Sequence, residues 1–119
     1  MATTHEWIEG ARPRTLPAAI APVAVGAGLG AWASAFDGPR VLLALVVAVA
    51  LQVGVNFAND YSDGVKGTDA ARVGPVRLVG QGLAPAARVK QAALLSFGVA
   101  AVAGLVLVVV FSRRAGGQR

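Results

Sequence analysis

Three long apolar segments limit the folds that are open to this chain. They cover residues 16–36, 41–63 and 86–111. Each is close to the ~20 residues that a helix needs to cross the hydrocarbon core of a bilayer. A lone strand could not satisfy its backbone hydrogen bonds in lipid, so helices are predicted. The sequence therefore predicts an all-α, polytopic membrane protein whose surroundings are the lipid bilayer.

Composition supports this prediction and excludes several kinds of site. Hydrophobic residues make up 55% of the chain and charged residues 14%, whereas soluble domains are about 25% charged. There is no cysteine, so disulfides, zinc thiolates and cysteine nucleophiles are excluded. The one histidine, His5, lies in an N-terminus that we expect to be frayed. The net charge is +5, but there is no basic stripe with interleaved aromatics, so nucleic acid is not expected as a partner.

The distribution of Lys and Arg predicts the orientation in the membrane. Two precede the first segment, one lies in the turn at residues 37–40, and five lie between residues 64 and 90. Because cytoplasmic loops carry the excess of positive charge, the N-terminus and the loop at 64–85 are predicted on the cytoplasmic side of the plasma membrane. Three crossings would place Arg113, Arg114 and Arg119 outside, against the same rule.

A polar cluster ends the second apolar segment. Carboxylates here are costly in the membrane and meet the negative end of the helix dipole, so a divalent cation would offset them. If the helix continues to Asp63, then Gln52, Asn56, Asp60 and Asp63 share one face, and Asn59 lies one turn before Asp63. Carboxylate and amide oxygens are ligands that suit Mg²⁺.

The loop after the cluster offers groups that could bind phosphate. Lys66, Arg72 and Arg77 are cations, and glycines such as Gly64 and Gly80 let the backbone bend around an anion. Mg²⁺ is commonly held by one or two carboxylates together with substrate phosphates. The pattern favours a diphosphate site for a lipid-like substrate. Two simpler interpretations stay open: solvated acidic residues at a helix end, and cations that only set membrane orientation.

The residues of this region resemble a known family. The string from Asn56 to Asp69, followed by Arg72-Val-Gly-Pro-Val-Arg77, is similar to the first aspartate-rich motif of the UbiA superfamily of intramembrane prenyltransferases. Its details resemble the 1,4-dihydroxy-2-naphthoate polyprenyltransferase branch, which serves menaquinone biosynthesis. The N-terminal Arg12-Pro-Arg-Thr-Leu-Pro17 is also similar to that branch. The resemblance covers about residues 7 to 111.

The resemblance implies an enzyme with defined substrates. It would transfer a polyprenyl group from polyprenyl diphosphate to the aromatic acceptor 1,4-dihydroxy-2-naphthoate, giving demethylmenaquinone, diphosphate and CO₂. The implied cofactor is Mg²⁺, held by Asn59, Asp60 and Asp63, of which Asp60 and Asp63 are the implied catalytic residues. The implied substrate-binding residues are Asn56, Asn59, Lys66, Asp69, Arg72 and Arg77.

The family pattern is longer than this chain. Its members are bundles of about nine helices, with a second aspartate-rich motif on a later helix. Three apolar segments and one such motif occur here. We therefore expect residues 1–119 to be the N-terminal portion of a single prenyltransferase domain that needs the missing helices, or partner helices, for activity. The rival hypotheses are a small non-catalytic membrane subunit and a cation-binding membrane fragment.

Overall fold

The structure is a computed structural model that describes residues 2–66 and 78–116, without the side chains of residues 65–66 and 111–116. The described residues form four α-helices and no strand: α1 (Thr4–Gly10), α2 (Leu16–Trp32), α3 (Gly38–Lys66) and α4 (Ala86–Gly116). Three helical stretches, Thr4–Trp32, Gly38–Gly64 and Ala86–Val110, are long and apolar enough to cross a membrane. The predicted fold class, all-α with three membrane-spanning segments, is confirmed.

Helix α1 corrects the expectation of a frayed N-terminus around His5. Thr3 and Glu6 form a capping box: the Glu6 amide donates to Thr3 Oγ1 at 3.1 Å, and the Thr3 amide donates to Glu6 Oε1 at 2.9 Å. This reciprocal pair satisfies two amides that the first turn of a helix leaves without intrahelical partners. The Thr-x-x-Glu spacing in the sequence could have predicted the start of α1.

The boundaries of α2 and α3 differ from the predicted segments 16–36 and 41–63. Ser34 adopts a left-handed conformation (φ 59°), and the Ala35 amide donates to the Gly30 carbonyl at 2.7 Å, which ends α2 at Trp32. Asp37 then accepts a hydrogen bond from the Arg40 amide at 3.3 Å, so α3 begins at Gly38. The connection therefore covers residues 33–37 instead of 37–40.

The last helices are also longer than predicted. α3 continues past residue 63 to Lys66, and α4 continues past residue 111 to Gly116. The two helices pack closely where Gly54 meets the ring of Phe97, since an added Cβ at Gly54 would lie 2.8 Å from Phe97 Cε1. A side chain at this position would force the Phe97 ring or the helices to shift, so the close approach favours glycine.

Apolar burial is concentrated at one end of the molecule, where α3 finishes and α4 starts. The buried cluster consists of Phe57, Leu78, Ala84, Val89 and Ala93. Farther along α4 the large apolar side chains are exposed, and an apolar groove of about 920 Å³ runs along α4 beside α3. An exposed apolar surface of this kind is suited to lipid or to further helices.

Candidate functional site

The last turns of α3 carry two pairs of polar side chains with different surroundings. Asn56 and Asp60, here called the inner pair, are 3% and 0% exposed. Asn59 and Asp63, here called the outer pair, both reach solvent: Asn59 is exposed and Asp63 is half-buried. Members of each pair are four residues apart, so each pair lies along one side of the helix.

Asn56 holds the connection between α1 and α2 against α3. Its Nδ2 donates to the Ala11 carbonyl and to Thr15 Oγ1, both at 2.9 Å. Between these acceptors Arg12 has a left-handed conformation (φ 56°), and Thr15 Oγ1 donates to the Arg12 carbonyl at 2.7 Å. Because a buried amide is costly without hydrogen bonds, Asn56 and this strained turn stabilise each other.

Asp60 holds the segment that precedes α4. Its Oδ2 accepts a hydrogen bond from the Leu78 amide at 2.7 Å, and its Oδ1 accepts one from the Val79 amide at 2.8 Å. Hydrogen bonds from amides to a carboxylate are shorter and stronger than neutral ones. The complete burial of Asp60 is compatible with these two contacts, which replace part of its lost hydration.

An apolar cluster joins the segments that the inner pair binds. The side chain of Leu78 is fully buried and lies so close to Gly10 that an added Cβ there would be 2.8 Å from Leu78 Cδ1. The Trp7 and Phe57 rings meet edge to face with centroids 5.8 Å apart. α1, the end of the loop and α3 therefore meet at a single point beneath the inner pair.

The outer pair has the chemistry that a magnesium ion requires. Asn59 offers an amide oxygen and Asp63 a carboxylate, which are hard ligands. Within residues 2–66 and 78–116, no three acidic or histidine side chains come together as a metal-binding group. One carboxylate and one amide oxygen are compatible with Mg²⁺ where other ligands, such as substrate phosphates and waters, complete the coordination.

Another cation is placed beside the motif. Lys90 Nζ, on the first turns of α4, lies 5.8 Å from the centroid of the Tyr61 ring. A cation within about 6 Å of an aromatic face is attracted by the ring's quadrupole. The contact ties Lys90 and Tyr61 to the α3–α4 junction.

The structure brings four predicted site residues together at the end of α3: Asn56, Asn59, Asp60 and Asp63. Of the residues predicted to share one face of this helix, Asn56 and Asp60 are buried. The side chain of Lys66 is not among those described, and the other predicted residues of the loop, Asp69, Arg72 and Arg77, lie outside the described ranges.

Sequence reasoning did not find the partners of the inner pair. These are the Ala11 carbonyl, Thr15 Oγ1 and the amides of Leu78 and Val79. Three of the four are backbone groups, which every residue carries, so no residue type marks them. The shared helix face of Asn56 and Asp60, at the end of an apolar segment, was the available signal that each needed a partner.

Curated relatives resemble this chain over nearly its whole length. The chain is 60% identical over 107 residues to a 1,4-dihydroxy-2-naphthoate octaprenyltransferase of Mycobacterium tuberculosis, and 57% identical over 107 residues to that of Mycobacterium leprae. It is 42% identical over 108 residues to the Escherichia coli protein of the same name. Each match covers 90% of this chain but only 35–37% of the relative.

No family model and no solved structure matches the chain. The relationship therefore rests on the curated relatives, whose matched stretches are too long to omit α3 and its two polar pairs. Helical, membrane-spanning architecture and the polar motif agree with the resemblance noted from the sequence. The chain is similar over 90% of its length to the 1,4-dihydroxy-2-naphthoate octaprenyltransferases and matches the N-terminal part of these proteins, about 36% of their length.

Proposed function

We propose that this chain forms the first metal–diphosphate part of an enzyme that transfers a polyprenyl group from polyprenyl diphosphate to 1,4-dihydroxy-2-naphthoate in menaquinone biosynthesis. The observation that carries the proposal is the 60% identity to a relative of that name across a stretch that includes α3. The outer pair supports it, because its two oxygen-bearing side chains lie one turn apart near the end of a helix long and apolar enough to span a membrane.

The proposed site assigns the residues of α3 to binding and orientation. Asn59 and Asp63 would hold Mg²⁺, and Asp60 was predicted as a third ligand. When bound, Mg²⁺ would stabilise the negative charge that develops on the leaving diphosphate. Lys66, Asp69, Arg72 and Arg77 are proposed to contact the diphosphate or its metal from the loop, as the family motif implies.

The packing of α1 and of residues 78–84 on α3 supports the proposal that the whole site lies on one side of the membrane. Helix α1 and the segment at 78–84 both pack on the last turns of α3, so the N-terminus and the end of the loop lie on the same side. The excess of Lys and Arg just before α2 and between residues 64 and 90 favours the cytoplasmic face of the plasma membrane. A water-soluble acceptor would reach the site from there, while the polyprenyl chain stays in the lipid.

We further propose that turnover requires additional helices, as the bundle of about nine helices in the resembled family implies. The large exposed apolar surface of α4 supports this, since it is suited to contact with additional helices. Such helices would also supply further ligands to the magnesium site, because the outer pair provides only two.

A chimeric enzyme tests the proposed function. In the Mycobacterium tuberculosis relative, this chain would replace the matched stretch, and Mg²⁺-dependent prenyl transfer to 1,4-dihydroxy-2-naphthoate would be measured in membranes. We expect the chimera to be active, and we expect Asp63→Asn to lower its turnover by about 10²-fold, the scale of losing one electrostatic contact to the transition state.

The matched control for this variant is Asp37→Asn, which removes a carboxylate from the connection between α2 and α3 and should leave turnover near that of the parent chimera. A chimera that inserts into membranes at normal levels but transfers no prenyl group would contradict the proposal. So would full activity of the Asp63→Asn chimera, which would favour a non-catalytic role for this part of the chain.

A further inference from the structure

The two aspartates of the motif differ in burial, although they are only three residues apart. Asp60 is fully buried and each of its oxygens accepts a backbone N–H, from Leu78 at 2.7 Å and from Val79 at 2.8 Å. Asp63 is only half-buried. A carboxylate already bound to two amides has less capacity left for a cation.

The segment that Asp60 binds is a compact turn at residues 78–84. The Leu78 carbonyl accepts hydrogen bonds from the Leu83 amide at 2.8 Å and the Ala84 amide at 3.0 Å, and the Gly82 amide donates to the Val79 carbonyl at 3.0 Å. Gly82 has a positive φ of 70°, a conformation that glycine adopts without steric cost. The turn is thus bonded within itself and joined to α3 through Asp60.

The turn lies directly on the face of α3 that carries Asp60. One helical turn after Asp60, an added Cβ at Gly64 would lie 2.9 Å from the Gly80 amide nitrogen and closer still to the Val79 side chain. The Leu78 side chain, also fully buried, packs beneath the turn against Gly10. Hydrogen bonds and packing therefore fix the same seven residues on the end of α3.

We propose that Asp60 is a positioning residue, which fixes the turn at 78–84 on α3, and that cation binding falls on Asn59 and Asp63. The assignment of the cation ligands rests on the proposed function; the role of Asp60 in fixing the turn does not. The amide that Asp60 binds at Leu78 is joined directly to Arg77, for which the sequence predicts a diphosphate contact. Fixing this amide restrains the backbone next to that cation.

Amide hydrogen exchange of this chain in lipid nanodiscs, with neither Mg²⁺ nor substrate, tests the role of Asp60. In the wild-type chain the Leu78 and Val79 amides should exchange at least about 10-fold more slowly than an unstructured amide, because each is bonded to a buried carboxylate. Equally fast exchange would overturn the proposal without any variant.

Asp60→Asn and its matched control Asp63→Asn separate the two aspartates. Asp60→Asn should speed exchange at Leu78 and Val79 by about 10-fold or more, since an amide group turns a donor toward one of the two N–H groups. Exchange at Ala93 and Ala100 in α4 should be unchanged, which distinguishes local release of the turn from general unfolding. Asp63→Asn should leave all four amides as in wild type. Unchanged exchange in Asp60→Asn would overturn the proposal.

Binding of Mn²⁺ in the presence of inorganic pyrophosphate, followed by electron paramagnetic resonance, tests the ligand assignment. Asp63→Asn should weaken binding by about 10-fold or more, the scale of losing a group that holds the metal, and Asp60→Asn by much less. Equal weakening by both variants would overturn the ligand assignment. A wild-type chain that binds no Mn²⁺ would count against both that assignment and the proposed function, while the exchange data would still decide the role of Asp60.

Discussion

The inner and outer pairs of α3 combine similar side chains with opposite surroundings. Asn56 and Asp60 are buried and bonded to the chain itself, to the α1–α2 connection and to the turn at 78–84. Asn59 and Asp63, an identical combination of residue types, reach solvent. The difference shows that an aspartate-rich motif on one helix can serve two purposes, because two adjacent strips of the helix surface meet different environments.

The largest expected effect comes from removing the apolar support beneath the inner pair. Leu78→Ala should lower the free energy of unfolding by about 2–5 kcal/mol, because a fully buried side chain leaves a cavity. Resistance to unfolding in sodium dodecyl sulfate measures this change. The matched control is Leu95→Ala on the exposed side of α4, where 72% of the residue is accessible. Equal losses in both variants would show that Leu78 is not part of a packed cluster.

A smaller loss of stability is expected when the inner pair loses the side-chain amide of Asn56. Asn56→Ala removes both hydrogen bonds to the α1–α2 connection, which should cost about 1–3 kcal/mol and expose the Arg14–Thr15 bond. Tryptic cleavage at this bond should become about 10-fold faster, since 1.4 kcal/mol is a factor of ten in an opening equilibrium.

The outer pair supplies the control for this cleavage experiment. Asn59→Ala should leave the rate of cleavage after Arg14 unchanged, because the Asn59 side chain is exposed to solvent, unlike the buried Asn56. If Asn59→Ala accelerated cleavage as much as Asn56→Ala, the two pairs would not differ in structural role.

The smallest effect is expected at the N-terminal cap of α1. Thr3→Ala removes the acceptor for the Glu6 amide and should cost about 1 kcal/mol of local stability. Exchange of the Glu6 amide should become about 5-fold faster, whereas cleavage after Arg14 should change less than in Asn56→Ala. A larger effect on cleavage from Thr3→Ala would mean that α1 and not Asn56 holds the connection.

Sequence reasoning found the membrane helices and the motif because both are local signals. Apolar runs of the right length indicated three spans, and i, i+4 spacing placed Asn56 and Asp60 on one face. The exact ends of the helices were not predicted, because single residues determine them. Examples are the left-handed Ser34 at the end of α2 and Asp37, which accepts a hydrogen bond at the start of α3.

The separate roles of the two pairs could not be predicted in this way. They depend on which side of α3 receives the turn at 78–84, a contact between segments 18 residues apart that uses backbone amides. Nothing in the composition of that turn specifies the carboxylate it binds. The role of the loop residues Asp69, Arg72 and Arg77 stays a prediction.

Magnesium activation of the chimeric enzyme tests the division of roles most directly. The Mg²⁺ concentration for half-maximal prenyl transfer would be compared between Asp60→Asn and Asp63→Asn. We predict that Asp63→Asn raises this concentration by about 10-fold or more, and that Asp60→Asn lowers the maximal rate while the concentration stays near that of the parent. Equal increases in the two variants would contradict the account, because they would make both aspartates metal ligands.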